Sequence, residues 1–88
     1  MKPIRRHRTF VKNYRSRVGN NPKQVKQFEK RLGLFINGVR DTPLNDHVLI
    51  GSMKGLHAFS VSGDLRVVYR ETEEFYEFLD IGSHNQVY

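Results

Sequence analysis

The 88-residue sequence predicts one α+β domain: a small antiparallel sheet with an N-terminal helical hairpin packed on one face. Three observations carry this. Between Phe10 and Val39 the apolar residues recur at three- and four-residue spacing, the period of a helix with one buried face. After Pro43 the period changes to that of strands, in three short runs joined by tight turns. No repeat, low-complexity tract or linker divides the chain, so residues 1–88 are expected to share one core.

Lys2 to His7 reads as a short first strand, with Pro3 marking an edge or an end. Thr9 can cap the helix that follows, from Phe10 to about Val18, in which Phe10, Val11, Tyr14 and Val18 make the apolar stripe while Lys12, Arg15 and Arg17 fall elsewhere. Gly19-Asn20-Asn21 breaks it. Asn21 as cap and Pro22 at the first helical position start a second helix, whose seam is Val25, Phe28, Leu32, Phe35, Ile36 and Val39, with Gly38 near its end. Gly51 to Gly55 reads as a loop. Leu56–Val61, Leu65–Arg70 and Phe75–Ile81 are the three strands, separated by a Ser62-Gly63-Asp64 turn and a polar turn at Glu71–Glu74. The helical seam should cover one face of this meander, leaving the other free for a ligand.

Charge divides the chain unevenly. Residues 1–40 hold twelve Lys/Arg against Glu29 alone, whereas residues 41–88 hold Lys54, Arg66 and Arg70 against eight acidic residues. A basic half of this strength points to a polyanionic partner, because each cation placed near a phosphate releases counterions and adds affinity. With no cysteine, neither disulfides nor thiolate metal sites are available. No apolar run is long enough to span a membrane, and the basic N-terminus lacks the apolar stretch of a signal peptide. The expectation is a cytoplasmic protein without a membrane partner.

Residues able to move protons or hold phosphate gather where the ends and loops of the meander should meet: His47, Lys54, His57, Asp64, Arg66, His84 and Tyr88. Histidines titrate near neutral pH, so two beside one phosphodiester can serve as general base and general acid without a metal. RNA supplies its own nucleophile, the ribose 2′-OH, and a cation such as Arg66 can stabilise the charge that grows on the phosphate. Arg66 alternates with Leu65 and Val67, so it points away from the core face, as either an ordinary surface residue or a phosphate ligand would. Asp64, after Gly63, is a natural turn residue whose carboxylate can also orient an imidazole. Three histidines and Asp64 could in principle bind zinc, but no closely spaced histidine pair favours it, so no metal or other cofactor is expected. Gly51-Ser52-Met53-Lys54-Gly55 lacks the order and context of a phosphate-binding P-loop.

Asp46-His47-Val48-Leu49-Ile50-Gly51-Ser52-Met53-Lys54-Gly55, then Ser62-Gly63-Asp64-Leu65-Arg66-Val67-Val68-Tyr69-Arg70, then Ile81-Gly82-Ser83-His84 resemble, in this order, the YafQ branch of the RelE superfamily. The resemblance covers nearly the whole chain and is specific in the last 43 residues, 46–88. It implies a RelE-like fold and a toxin of a type II toxin–antitoxin system: a metal-independent endoribonuclease that cleaves mRNA in the ribosomal A site. A cognate antitoxin would hold it inactive, and contact with promoter DNA would be indirect, through that antitoxin. By motif match His47, Asp64, Arg66, His84 and Tyr88 fall on catalytic positions, while Lys54, His57 and Arg70 are assigned to RNA binding. One departure stands out: the position four residues before Asp64, a further catalytic histidine in YafQ-like proteins, is Ser60 here, and His57 lies on the wrong side of the strand to replace it. Two alternatives remain: a ParE-like gyrase inhibitor of the same fold without catalysis, against which the three histidines and Arg66 speak, and a non-catalytic basic RNA-binding domain, which the Ser60 departure keeps open.

Overall fold

The computed structural model describes all residues, 1–88. Strand β1 (Ile4–Arg6) leads into α1 (Arg8–Arg17) and α2 (Pro22–Ile36). Strand β2 (His47–Val48) and a 3-10 turn (Gly51–Met53) come next, then β3 (His57–Ser62), β4 (Leu65–Glu71), β5 (Tyr76–Gly82) and a short α3 (His84–Val87). The strands form one sheet in the order β1-β5-β4-β3-β2. The antiparallel meander β3-β4-β5 is its centre, as the alternation predicts. The sheet is nevertheless mixed, because β1 adds to β5 in parallel at one edge while β2 adds antiparallel to β3 at the other.

Asn21 caps α2 as expected, its side-chain oxygen accepting from the N–H groups of Lys23 and Gln24 at 3.1 and 3.2 Å. The first helix starts earlier than the stripe implied. Its cap is His7, whose Nδ1 accepts from the Thr9 N–H at 3.0 Å, so Thr9 lies inside α1 rather than in front of it. The α2 seam also ends sooner: Ile36 is 46% exposed, and Val39 reaches the core from beyond the helix. Phe35 already points inward, and the next residue is turned about 100° away from it.

Phe35 is the centre of the core. Its ring stacks on Phe59 at 5.0 Å and meets Tyr69, Tyr76 and Phe78 edge-on at 5.1, 5.0 and 5.5 Å. Phe10 and Tyr14 of α1 join it through Phe28 of α2, so both helices cover the face bearing Phe59, Val67, Tyr69 and Phe78. The opposite face is not left open along its length. Ala58 and Val68 on that face are covered by Leu49, Met53, Leu56 and Val87, a second small core under the 3-10 turn and α3. The segment from Gly51 to Gly55 is therefore a folded cover, not merely a loop, and it leaves Arg66 and Arg70 on the uncovered stretches of that face.

Candidate functional site

Arg66 lies opposite Ser60 of β3 and Gly82 of β5. The β3–β4 turn, with Gly63 at φ 44°, carries Asp64 beside it. Asp64 accepts from the backbone N–H of His84 at 3.3 Å and stands 3.9 Å from Arg66 Nε, near enough for attraction but not for a hydrogen bond. Arg66 Nε is buried and has no hydrogen-bond partner, although the side chain as a whole is 31% exposed. Nε itself is shielded from solvent, and it is the exposed part of the side chain, its charge only loosely matched by Asp64, that is suited to an anion supplied from outside.

The last turn of chain closes on Arg66 from the β5 side. The Tyr88 ring centroid is 5.7 Å from the Arg66 guanidinium carbon, and the His84 ring meets Tyr88 edge-on at 4.6 Å. A C-terminal residue is fixed here because Val87 is anchored in the second core and the Tyr88 N–H donates to the His84 carbonyl at 3.1 Å. The start of α3 is held as well: Gln86 Oε1 accepts from the Ser83 N–H at 2.7 Å, and Arg17 of α1 donates to the Ile81 carbonyl at 3.0 Å. Both side chains press on Gly82, where an added Cβ would lie 2.7 Å from Arg17 Nη1 and 2.7 Å from Gln86 Oε1. A side chain there would have to push these two flexible side-chain ends aside, so glycine lets them pack close over the Gly82-Ser83-His84 run.

His47 approaches from the other side. With Asn45, Phe59, Ser60, Gly63 and Arg66 it lines a small cleft, so Ser60 occupies the floor between His47 and Arg66. His47 Nδ1 is 3.1 Å from the Asn45 carbonyl oxygen. A carbonyl can only accept, so in this contact Nδ1 is the donor, which in the neutral ring leaves the lone pair on Nε2. In the order β5-β4-β3-β2, Arg66 thus has His84 and Tyr88 on one flank and His47 on the other.

Of the expected site residues, the structure brings together Asp64, Arg66, His84 and Tyr88, with His47 across the cleft. It separates the others. His57 pairs with Tyr69 on the helix-covered face, its ring stacked on that phenol at 5.1 Å and its Nδ1 3.5 Å from Asp46, away from the Arg66 patch. Arg70 shares the Arg66 face, but four residues along the strand, about 13 Å away, and its guanidinium is engaged by Glu77 at 2.7 Å. Lys54 is exposed just after the 3-10 turn.

Sequence reasoning did not single out Asp46 and Tyr69 as partners. The Tyr69 hydroxyl donates to Asp46, whose side chain is only 8% exposed. Burial, and then the hydrogen bond and charge of Asp46, push the Tyr69 phenol well above its ordinary pKa. Because the neutral phenol is favoured in the folded state, this contribution to stability is complete below about pH 10 and is lost as pH rises beyond it. Urea unfolding midpoints are expected to fall above pH 10, and to fall less steeply in Tyr69→Phe. Both residues lie in the quoted motif blocks, a signal that could have revealed them.

Comparison with known proteins shows the family and the fold. The sequence profile described as a bacterial toxin of type II toxin–antitoxin systems, YafQ, matches residues 2–88. No curated protein sequence matches the chain. Among solved structures, YafQ from E. coli strain BL21(DE3) superposes with a TM-score of 0.83 at 22% identity, covering 100% of this chain and 99% of that one. The E. coli DinJ–YafQ complex gives 0.81 at 23% identity over 100% and 99%. A metal-bound toxin from Helicobacter pylori gives 0.82 at 24% identity over the whole of both chains. The fold is RelE-like, and with the profile spanning all but the first residue, the chain belongs to the YafQ family of bacterial toxins of type II toxin–antitoxin systems.

Proposed function

We propose that the protein is a ribosome-dependent endoribonuclease that cleaves mRNA through attack of the ribose 2′-OH on the adjacent phosphorus. The observation that carries this is the partly exposed Arg66 side chain, its charge only loosely matched by Asp64, flanked by two histidines on one patch of the sheet. His47 Nε2 takes the 2′-OH proton as the oxygen bonds to phosphorus. The P–O5′ bond breaks, and His84, as imidazolium, protonates the departing O5′. Arg66 holds the non-bridging oxygens as their charge grows. Asp64 fixes the start of α3 and thereby His84, and the Tyr88 ring offers a surface on which a base can stack. The products are a 2′,3′-cyclic phosphate and a 5′-hydroxyl.

In this scheme both proton transfers fall to histidines and the growing phosphate charge to Arg66, without a metal. The histidine absent at Ser60 leaves the acid and base to His47 and His84 alone. The basic half, residues 1–40, is suited to ribosomal RNA and to an acidic antitoxin segment. An antitoxin partner is also supported by the E. coli relative, whose structure was solved with DinJ.

Incubating the protein with mRNA on programmed ribosomes tests the reading. New 5′-hydroxyl ends in the A site are expected, with none when a 2′-deoxy residue precedes the scissile bond. A non-bridging phosphorothioate should slow cleavage equally whether or not a thiophilic metal is added. Growth arrest without new RNA ends, accompanied by DNA damage, would replace this reading with gyrase inhibition.

A further inference from the structure

Strand β2 is only two residues long and lies at the sheet edge, pairing His47 with Ala58 and Val48 with His57. Two ladder positions on one side are a weak fixture for a side chain that must meet a reacting atom. Yet the residue before His47 is among the most firmly held polar groups of the protein. One oxygen of Asp46 accepts from the Tyr69 hydroxyl, the other faces His57 Nδ1 at 3.5 Å, and the Asp46 N–H donates to the Arg40 carbonyl at 2.8 Å. Tyr69 is itself locked in the aromatic core against Phe35 and Tyr76, and His57 stacks on its ring.

Asp46 and His47 are consecutive in extended chain, so their side chains leave on opposite sides. Asn45, immediately before them, adopts φ 48°, the left-handed region that a non-glycine residue enters at a cost. That turn aims the Asn45 carbonyl at His47 Nδ1. Anchoring Asp46 in the core therefore fixes the bend that selects the tautomer of His47, one residue away on the other side of the sheet.

We propose that Asp46, clamped by Tyr69 and His57 on the helix side, is a positioning residue that holds His47 with its Nδ1 protonated and its Nε2 free. The link to catalysis rests on the nuclease reading above; the clamp itself does not. The role is one of shape and hydrogen bonding, so Asp46→Asn, which can still accept from Tyr69 and donate to His57, should preserve it. Asp46→Ala should not.

Two readouts separate the clamp from its consequence. The ring ¹⁵N shifts of His47, measured on the free protein at about pH 8, are expected to report the Nδ1–H form in wild type and Asp46→Asn. In Asp46→Ala and Tyr69→Phe they should move toward the Nε2–H form that free histidine prefers, with backbone amide signals of β3 to β5 kept as a control for folding. On ribosomes, kcat should drop about 10- to 100-fold in those two variants with KM unchanged, and should recover in Asp46→Asn. Unaltered His47 shifts in folded Asp46→Ala or Tyr69→Phe would overturn the clamp. Altered shifts with full kcat would overturn its role in positioning for catalysis. Wild-type protein that cleaves nothing would instead overturn the nuclease reading, and the shifts would still judge the clamp.

Discussion

Arg66→Ala is expected to slow mRNA cleavage by about 10²- to 10³-fold, the usual cost of removing a donor that meets developing negative charge. The same change should leave the urea midpoint nearly unaltered. In the free protein the Arg66 Nε makes no hydrogen bond, and Asp64 at 3.9 Å gives only a loose, partly exposed ion pair, so the fold loses little with it. Arg66→Lys should recover a minor part of the rate, because an ammonium keeps the charge but not the planar fork that grips two phosphate oxygens. Single-turnover rates on ribosomes, paired with urea titrations, check both halves. A rate within threefold of wild type for Arg66→Ala would remove the phosphate from this position.

His84→Ala is expected to cost about 10²- to 10⁴-fold, the range for loss of a general acid or base. The sharper test is which of the two roles fails. An RNA whose scissile 5′ oxygen is replaced by sulfur has a leaving group that departs without protonation, so it should largely restore cleavage by His84→Ala. It should give no comparable recovery in His47→Ala, where the 2′-OH proton still has no acceptor. Equal rescue of both variants would show that the acid and base are not divided this way. Tyr88→Phe keeps the edge contact to the His84 ring and the aromatic face over Arg66, and serves to separate loss of His84 from disturbance of the C-terminal turn.

The grouping of the candidate site residues was partly legible in the sequence. His47, Asp64, Arg66, His84 and Tyr88 were recognisable from residue chemistry and motif order, and strand alternation sent Arg66 away from the helices. His57 shows how far that reasoning reaches. A histidine three residues from Ser60 carries the same chemistry in a list of residues, but strand parity turns it to the opposite face, against Tyr69 and Asp46. Parity along the strand gives its face; only the structure supplies its partners, Tyr69 and Asp46. Arg70 has the right face and still differs from Arg66, since Glu77 across the strand pair already holds it. A neighbour brought in by sheet register cannot be read from spacing along one strand.

The C-terminus makes the same distinction. Tyr88 could act only if the chain end were tied down, and nothing in the last residues alone guarantees that. It is tied by Val87 packing with Ala58, Val68 and Leu49, contacts across wide sequence separations. Sequence by itself determined the elements whose causes are local: the Asn21-Pro22 start of α2, the period of its apolar seam, the turn at Gly63, and the ordered blocks that mark the family. Tertiary structure alone decided the parallel addition of β1 to β5, the covering of half the second sheet face, and the division of four histidines among a helix cap, a core clamp and the two flanks of Arg66. Local preferences act within a few residues, whereas these outcomes depend on which distant side chains the sheet sets side by side.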